Sequence, residues 1–109
     1  YAADVVFSSH LLEHCIDDYK TIKGWHTILK ERGLLILYLP DGRYYDNYEN
    51  EEHIRDYNYD SFLMFFERAF CGKSKDFEGK NNWAYFEIIE SGLDIGEDKY
   101  SFYLIARKL

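Results

Sequence analysis

The spacing of two apolar runs constrains this chain more than any other feature: Asp4-Val5-Val6-Phe7-Ser8-Ser9 and Leu34-Leu35-Ile36-Leu37-Tyr38-Leu39 stand on either side of a helical pattern. Short continuous apolar runs bounded by polar residues suit strands of a parallel sheet covered on both faces. Between them, Asp17 and Asp18 are placed to cap a helix that runs to about Arg32, with Tyr19, Ile22, Trp25, Ile28 and Leu29 as its apolar stripe. Gly33 then falls where a left-handed residue ends a helix, and Gly24 inside it is a mild cost or a point of close packing. Strand, helix and strand over residues 5–39 make a βαβ crossover, which implies right-handed parallel pairing.

The second run stops at Pro40-Asp41-Gly42, a turn signal. Residues 43–57 are polar and Tyr-rich (Arg43, Tyr44, Tyr45, Tyr48, His53, Arg55, Asp56, Tyr57) and lack an apolar period, which reads as a functional loop. Asn58 can cap a second helix whose Phe62, Phe65, Phe66, Ala69 and Phe70 fall at helical spacing and read as core, with Gly72 as terminator. Lys73 to Asn82 is a charged loop. Trp83 to Glu90 and Tyr100 to Lys108 read as two strands joined by residues 91–98, a terminal antiparallel pair. Residues 1–109 form one domain, with no linker or repeat.

Hydrophobic residues make up 47% of the chain and aromatics 19%, ample material for a packed core and too much for a disordered segment. The formal charge of −7, without any run of Lys or Arg, disfavours generic binding to a nucleic-acid backbone, because neutralising phosphates takes clustered cations. Cys15 and Cys71 are too isolated for a disulfide framework and read as thiols in a reducing, cytoplasmic compartment. No stretch approaches the roughly 20 apolar residues that span a bilayer, and no cleavable signal is visible. The sequence opens at Tyr1 directly on a strand-like run, which reads as the middle of a fold.

The densest chemical cluster, Ser8-Ser9-His10-Leu11-Leu12-Glu13-His14, directly follows the first strand. Open α/β sheets bind ligands outside the carboxyl ends of their strands, so this loop lies where a site is expected. His10, Glu13 and His14 together can act as acid or base, or bind a metal. Taken literally, His10-x-x-Glu13-His14 also matches a zinc motif of inverted-motif metalloproteases. That motif needs a helix presenting both histidines on one face, and here the residues follow a strand in a chain too short for that protease fold.

The same residues support a wider match. Val5 through His14, then the capped helix, then Leu29-Lys30-Glu31-Arg32-Gly33 leading into the strand that ends at Pro40, resembles class I S-adenosylmethionine-dependent methyltransferases from their fourth strand onward. Residues 50–57, with His53, Asp56 and Tyr57, resemble a His-x-x-Asp-aromatic segment of some members, and Tyr100 to Lys108 resembles the family's last strand. The resemblance covers essentially the whole chain. It implies an α/β fold: a partial Rossmann-like methyltransferase sheet, a parallel βαβ followed by a helix and a terminal antiparallel strand pair.

For the site, the resemblance implies that Ser8, Ser9 and His10 lie beside the methionine portion of S-adenosylmethionine, the cofactor. It implies that Asp41, Tyr45, His53 and Asp56 face the methyl acceptor, of unspecified chemistry. Methyl transfer is an in-line displacement at a sulfonium, carried largely by positioning, with a base needed only if the acceptor must lose a proton. His10, His14 and His53 are the candidate bases, with Glu13 beside them. Some members bind a divalent ion through Glu-x-x-Glu-His at this place; this chain keeps Glu13 and His14 but has His10 for the first Glu, so a metal-bound and a metal-free site both fit. Structural roles stand beside these: His14 as a hydrogen-bonded residue at a helix entrance, His53 and Asp56 fixing their own loop, Tyr44, Tyr45 and Tyr48 covering the core, His26 packing on its helix.

The family's Gly-rich cofactor turn has no counterpart here: no Gly-x-Gly occurs, and Gly92-x-x-x-Gly96 falls in the wrong place. The expectation is a C-terminal half that, taken alone, binds S-adenosylmethionine weakly or not at all and is inactive. The alternative is a non-catalytic binding or assembly module derived from the same fold. Without the first half, strand 5–9 exposes a flat apolar edge, which predicts a homo-oligomer paired through it.

Overall fold

A computed structural model describes residues 2–43, 57–72, 84–96 and 99–109. The elements follow in the order β1 (Ala3–Ser9), a 3-10 turn (Leu12–His14), α1 (Asp18–Ile28), β2 (Leu29–Pro40), α2 (Tyr59–Phe70), β3 (Phe86–Gly96) and β4 (Lys99–Lys108). The fold is mixed α/β. The strands form a four-stranded sheet in the order β1-β2-β4-β3, with β1 and β2 parallel and β4 antiparallel to both its neighbours. The expected crossover and terminal antiparallel pair are both present, and β4, last of the described strands in sequence, lies between β2 and β3.

Local chemistry sets the helices. The Asp17 carboxylate accepts from the Lys20 N–H at 3.0 Å, and the Asn58 side chain accepts from the Ser61 N–H at 2.9 Å, so each side chain satisfies one orphan donor of a first turn. Gly72, at φ 65°, follows α2 in the left-handed conformation, as its spacing predicts. Phe62, Phe66 and Phe70 turn fully inward, packing with Ile22 and Leu12 on Leu35, Leu37, Leu39, Phe86, Phe102, Leu104 and Ala106. All of these strand residues project from one face of the sheet, the face covered by both helices.

Four expectations need correction. The first helix ends at Ile28, not at Arg32, because Leu29 is already extended and strand-paired with Ala3. The cause is distant in sequence: Lys108 Nζ donates to the carbonyls of His26 and Leu29, both at 2.8 Å, so a side chain of β4 satisfies the exposed end of α1. The left-handed residue is Arg32, at φ 64°, rather than Gly33. Two steps along β1, from Ala3 to Val5, are matched by five along β2, from Leu29 to Leu34, and the surplus residues bulge there.

The third correction concerns β1. It is an end strand with Val5 48% and Phe7 64% exposed, because no helix among the described residues lies over the face it shares with Leu34 and Ile36. A continuous apolar run does not by itself say that both faces are covered. Fourth, residues 91–96 belong to β3 and not to a loop. Gly92 sits in the strand where Tyr103 lies across it: an added Cβ would stand 3.2 Å from the Tyr103 hydroxyl. The expected loops at 44–56 and 73–82 lie outside the described residues.

Two glycines make opposite predictions. A Cβ on buried Gly33 would stand 2.9 Å from the Lys30 carbonyl oxygen and 3.1 Å from that of Asp4, rigid backbone on both sides. Gly33→Ala therefore costs on the order of 1–3 kcal/mol in denaturant unfolding. Exposed Gly24, in the middle of α1, has nothing within 4 Å of its added Cβ. Gly24→Ala accordingly stabilises the chain by about 0.5–1 kcal/mol.

Candidate functional site

The carboxyl ends of β1 and β2 and the beginning of β4 meet at one end of the sheet, and His10 lies at their junction. Its N–H donates to the Tyr38 carbonyl at 2.8 Å, extending the β1–β2 ladder one residue past the strand. Its backbone then turns left-handed, at φ 50°, a conformation that costs a non-glycine residue energy and is met often at functional sites. The turn swings the imidazole across β2. The ring stacks on Tyr38, with centroids 5.5 Å apart and planes 5° from parallel, and Nε2 lies 3.1 Å from Ser101 Oγ on β4. Tyr100 packs against the same ring at a tilt, 5.9 Å between centroids.

Ser8 and Ser9 precede His10 and point to opposite faces, as consecutive strand residues must. Ser8 pairs with Leu37 on the helix-covered face, is 5% exposed, and its hydroxyl finds no hydrogen-bond partner among the described residues. Ser9 pairs with Tyr38 and is exposed. Of the two serines expected beside the cofactor, Ser9 presents its side chain to solvent and Ser8 does not.

Leu12 is fully buried and anchors the 3-10 turn that carries Glu13 and His14. Glu13 is 1% exposed, and its Oε1 stands 3.6 Å from Nε2 of His14, an ion-pair rather than a hydrogen-bond distance. Burying a carboxylate is costly unless charge or hydrogen bonds compensate it, which gives His14 a role in holding Glu13 whatever chemistry follows. His10 points towards β4, while Glu13 and His14 belong to the next turn. No group of three His, Cys, Asp or Glu side chains among the described residues is arranged to hold a metal ion.

Asp41, expected at the acceptor, is 0% exposed and fully engaged. Its Oδ1 accepts from Arg43 N–H at 2.9 Å and Arg43 Nε at 3.1 Å; its Oδ2 accepts from Arg43 Nη2 and from the Tyr59 N–H, each at 2.9 Å. Burial alone would raise this carboxyl, but the bonds from Arg43 and Tyr59 outweigh it and hold it below its ordinary value. Arg43, pushed up in turn by Asp41, also reaches Asp60 at 3.0 Å. Asp41 thus clasps the end of β2 and Arg43 to the first turn of α2. The other acceptor candidates, Tyr45, His53 and Asp56, lie outside the described residues. His26, read as a packing residue, does pack edge-on against Tyr85 and Phe86, at 5.1 and 5.2 Å, and burial and Lys108 lower it from its ordinary value.

Three residues that sequence reasoning did not single out complete the site: Tyr38, Ser101 and Asp94. Tyr38 donates to Asp94 Oδ2 at 2.5 Å, reaching over β4 to β3. Ser101 is 2% exposed on β4, opposite Pro40 on one side and Asp94 on the other. The available signal was a polar residue in each apolar strand, Tyr38 near the end of one and Ser101 near the start of the other. No known protein-family profile matches the chain, and no curated protein sequence is significantly similar to it. No described helix is long and apolar enough to cross a membrane.

The Asp41 clasp gives a pH-dependent prediction. A carboxyl held below its unfolded value contributes stability that is complete above that value, 3.8, and is lost as pH falls through the folded one. Asp41→Asn removes on the order of 3 kcal/mol at neutral pH. It also flattens the fall in the denaturant midpoint as pH drops below 3.8, relative to the parent chain.

Proposed function

We propose that this chain supplies the acceptor-side half of a class I S-adenosylmethionine-dependent methyltransferase site, and that it is inactive when separated from a Gly-rich cofactor half. The observation that carries the reading is His10: a strained, half-buried imidazole at the carboxyl end of a strand parallel to its neighbour, where α/β sheets bind ligands. The order of elements, parallel βαβ, helix, antiparallel pair, supports it as well. When bound, S-adenosylmethionine supplies a methyl group on a sulfonium. The residues here fit its methionine portion in part: Ser9 and His10 are accessible at the end of β1, whereas Ser8 offers only backbone. In this reading His10 orients the acceptor and takes a proton where one must be lost, Glu13 and His14 shape the turn beside it, and Asp41 fixes the exit from β2. The exposed face bearing Val5 and Phe7 is where the cofactor half packs.

The direct test is the reading frame ahead of Tyr1. A polypeptide carrying it together with residues 1–109 binds S-adenosylmethionine and transfers its methyl group, while residues 1–109 alone give no saturable calorimetric titration. Tight binding by the 109-residue chain, or a start codon at Tyr1, contradicts the proposal.

A second reading, a self-assembling module of the same descent, is favoured by the edge of β1 that no described strand pairs, beside exposed Val5 and Phe7. Unpaired strand edges flanked by apolar side chains recruit another strand. The isolated chain is then a homodimer in light scattering, and Phe7→Lys shifts it to monomer. A parent chain that stays monomeric at high concentration rules out this assembly.

A further inference from the structure

Ser8 is 5% exposed on the helix-covered face, and burying a hydroxyl that meets no partner among the described residues is costly. Its strand is also half paired: β1 bonds to β2 along one edge, and no described strand pairs the other. Backbone direction decides what that second edge offers. The His10 N–H donates to the Tyr38 carbonyl, and the Asp4 carbonyl oxygen would lie 3.1 Å from a Cβ on Gly33 of β2. Asp4, Val6 and Ser8 therefore turn their backbone groups towards β2. Ala3, Val5, Phe7 and Ser9 alternate with them, so their N–H and C=O groups point outward along the other edge. Val5 and Phe7 are exposed on the open face, and Asp4 is exposed on the face that Ser8 and Val6 share.

We propose that this edge pairs antiparallel with β1 of a second copy of the chain, in the register that sets Val6 opposite the partner's Val6 on a two-fold axis. The proposal rests on the self-assembly reading above and adds the register, which the side chains select. Outward backbone groups must face outward backbone groups, so neighbouring symmetric registers centre on Val5, Val6 or Phe7. Centring on Phe7 sets Ser8 opposite the partner's Val6 and leaves its hydroxyl unmet. Centring on Val5 sets the Asp4 carboxylate opposite Val6. Centring on Val6 instead sets Val5 against the partner's Phe7 on the open face, and Asp4 against the partner's Ser8 on the other, each pair occurring twice. Directly opposed Cβ atoms lie about 4.5–5.5 Å apart, within reach of a hydroxyl donating to a carboxylate. Asp4 is available for this bond: it stands 3.4 Å from Lys30 Nζ, with both side chains exposed, and such surface pairs are weak.

The test has two arms. In the chain carrying Cys15→Ser and Cys71→Ser, Val6→Cys becomes a disulfide-linked dimer in a glutathione redox buffer, because opposed residues that share no ladder bond lie within disulfide range. Phe7→Cys, which faces the partner's Val5 and not its own copy, stays unlinked at the same protein concentration. In the second arm, sedimentation of chains with their native cysteines gives the dimer dissociation constant. Ser8→Ala raises it roughly 10- to 100-fold, since two symmetric hydrogen bonds are lost, and does not lower the stability of the monomer. Asp4→Ala raises it to the same extent, and the double variant is no weaker than either single one. Linking of Phe7→Cys in preference to Val6→Cys overturns the register, and so does a dimer constant unmoved by Ser8→Ala. A dimeric parent in which neither cysteine links overturns the edge pairing while self-assembly stands. A parent chain that sediments as a monomer at high concentration removes the self-assembly reading and the register with it. Should a cysteine variant not fold, the Ser8 and Asp4 cycle decides by itself.

Discussion

The double pairing of β4 is the constraint on which the rest of the structure depends. The last of the described strands in sequence, it pairs with β2 from Arg107 opposite Leu34 to Ser101 opposite Pro40, and with β3 along its other edge. Phe102, Leu104 and Ala106 are buried in the helix-covered layer, so withdrawing β4 would open the core that α1 and α2 share. Its ends carry the local chemistry. Lys108 closes the carboxyl end of α1, and the Tyr100 carbonyl accepts from the Asp41 N–H at 2.8 Å. Ser101 meets His10.

The candidate site is thus assembled by long-range pairing and not by the loop that contains its most conspicuous residues. His10 and Glu13 are close in sequence but serve different parts of the structure. His10 is drawn over β2 towards β4 by stacking and hydrogen bonding, whereas Glu13 is buried within the next turn beside His14. Asp41 and Arg43 then set where the chain departs from β2, closing that end of the sheet to α2 through Tyr59 and Asp60.

Much of this was legible in the sequence wherever local rules decide. The Asn58 cap, the Phe62, Phe66 and Phe70 face, the Gly72 terminator and the parallel pairing of β1 with β2 all follow from spacing and side-chain chemistry. What was not legible depended on residues far away. The end of α1 at Ile28 is set by Lys108, and Arg32 takes the left-handed conformation because Gly33 is needed at a close backbone approach. Residues 91–96, polar and glycine-containing, looked like a loop but are held as strand by pairing to β4 and by Tyr103 lying over Gly92. In the site, the cluster of His10, Glu13 and His14 was visible as a motif. Its partners Tyr38, Ser101 and Asp94 were not, since only the strand order brings them together.

Native-state amide hydrogen exchange tests the central place of β4 most directly, because it ranks elements by the free energy of the opening that exposes them. If β4 holds the fold together, its amides and those of β2 exchange only through global unfolding, with the full denaturant dependence of that transition. The amides of β1, bonded along one edge, then exchange through a smaller opening at lower free energy. Exchange of β4 through a local opening, as fast as or faster than β1, would contradict this order and with it the view that the last strand builds the site around His10.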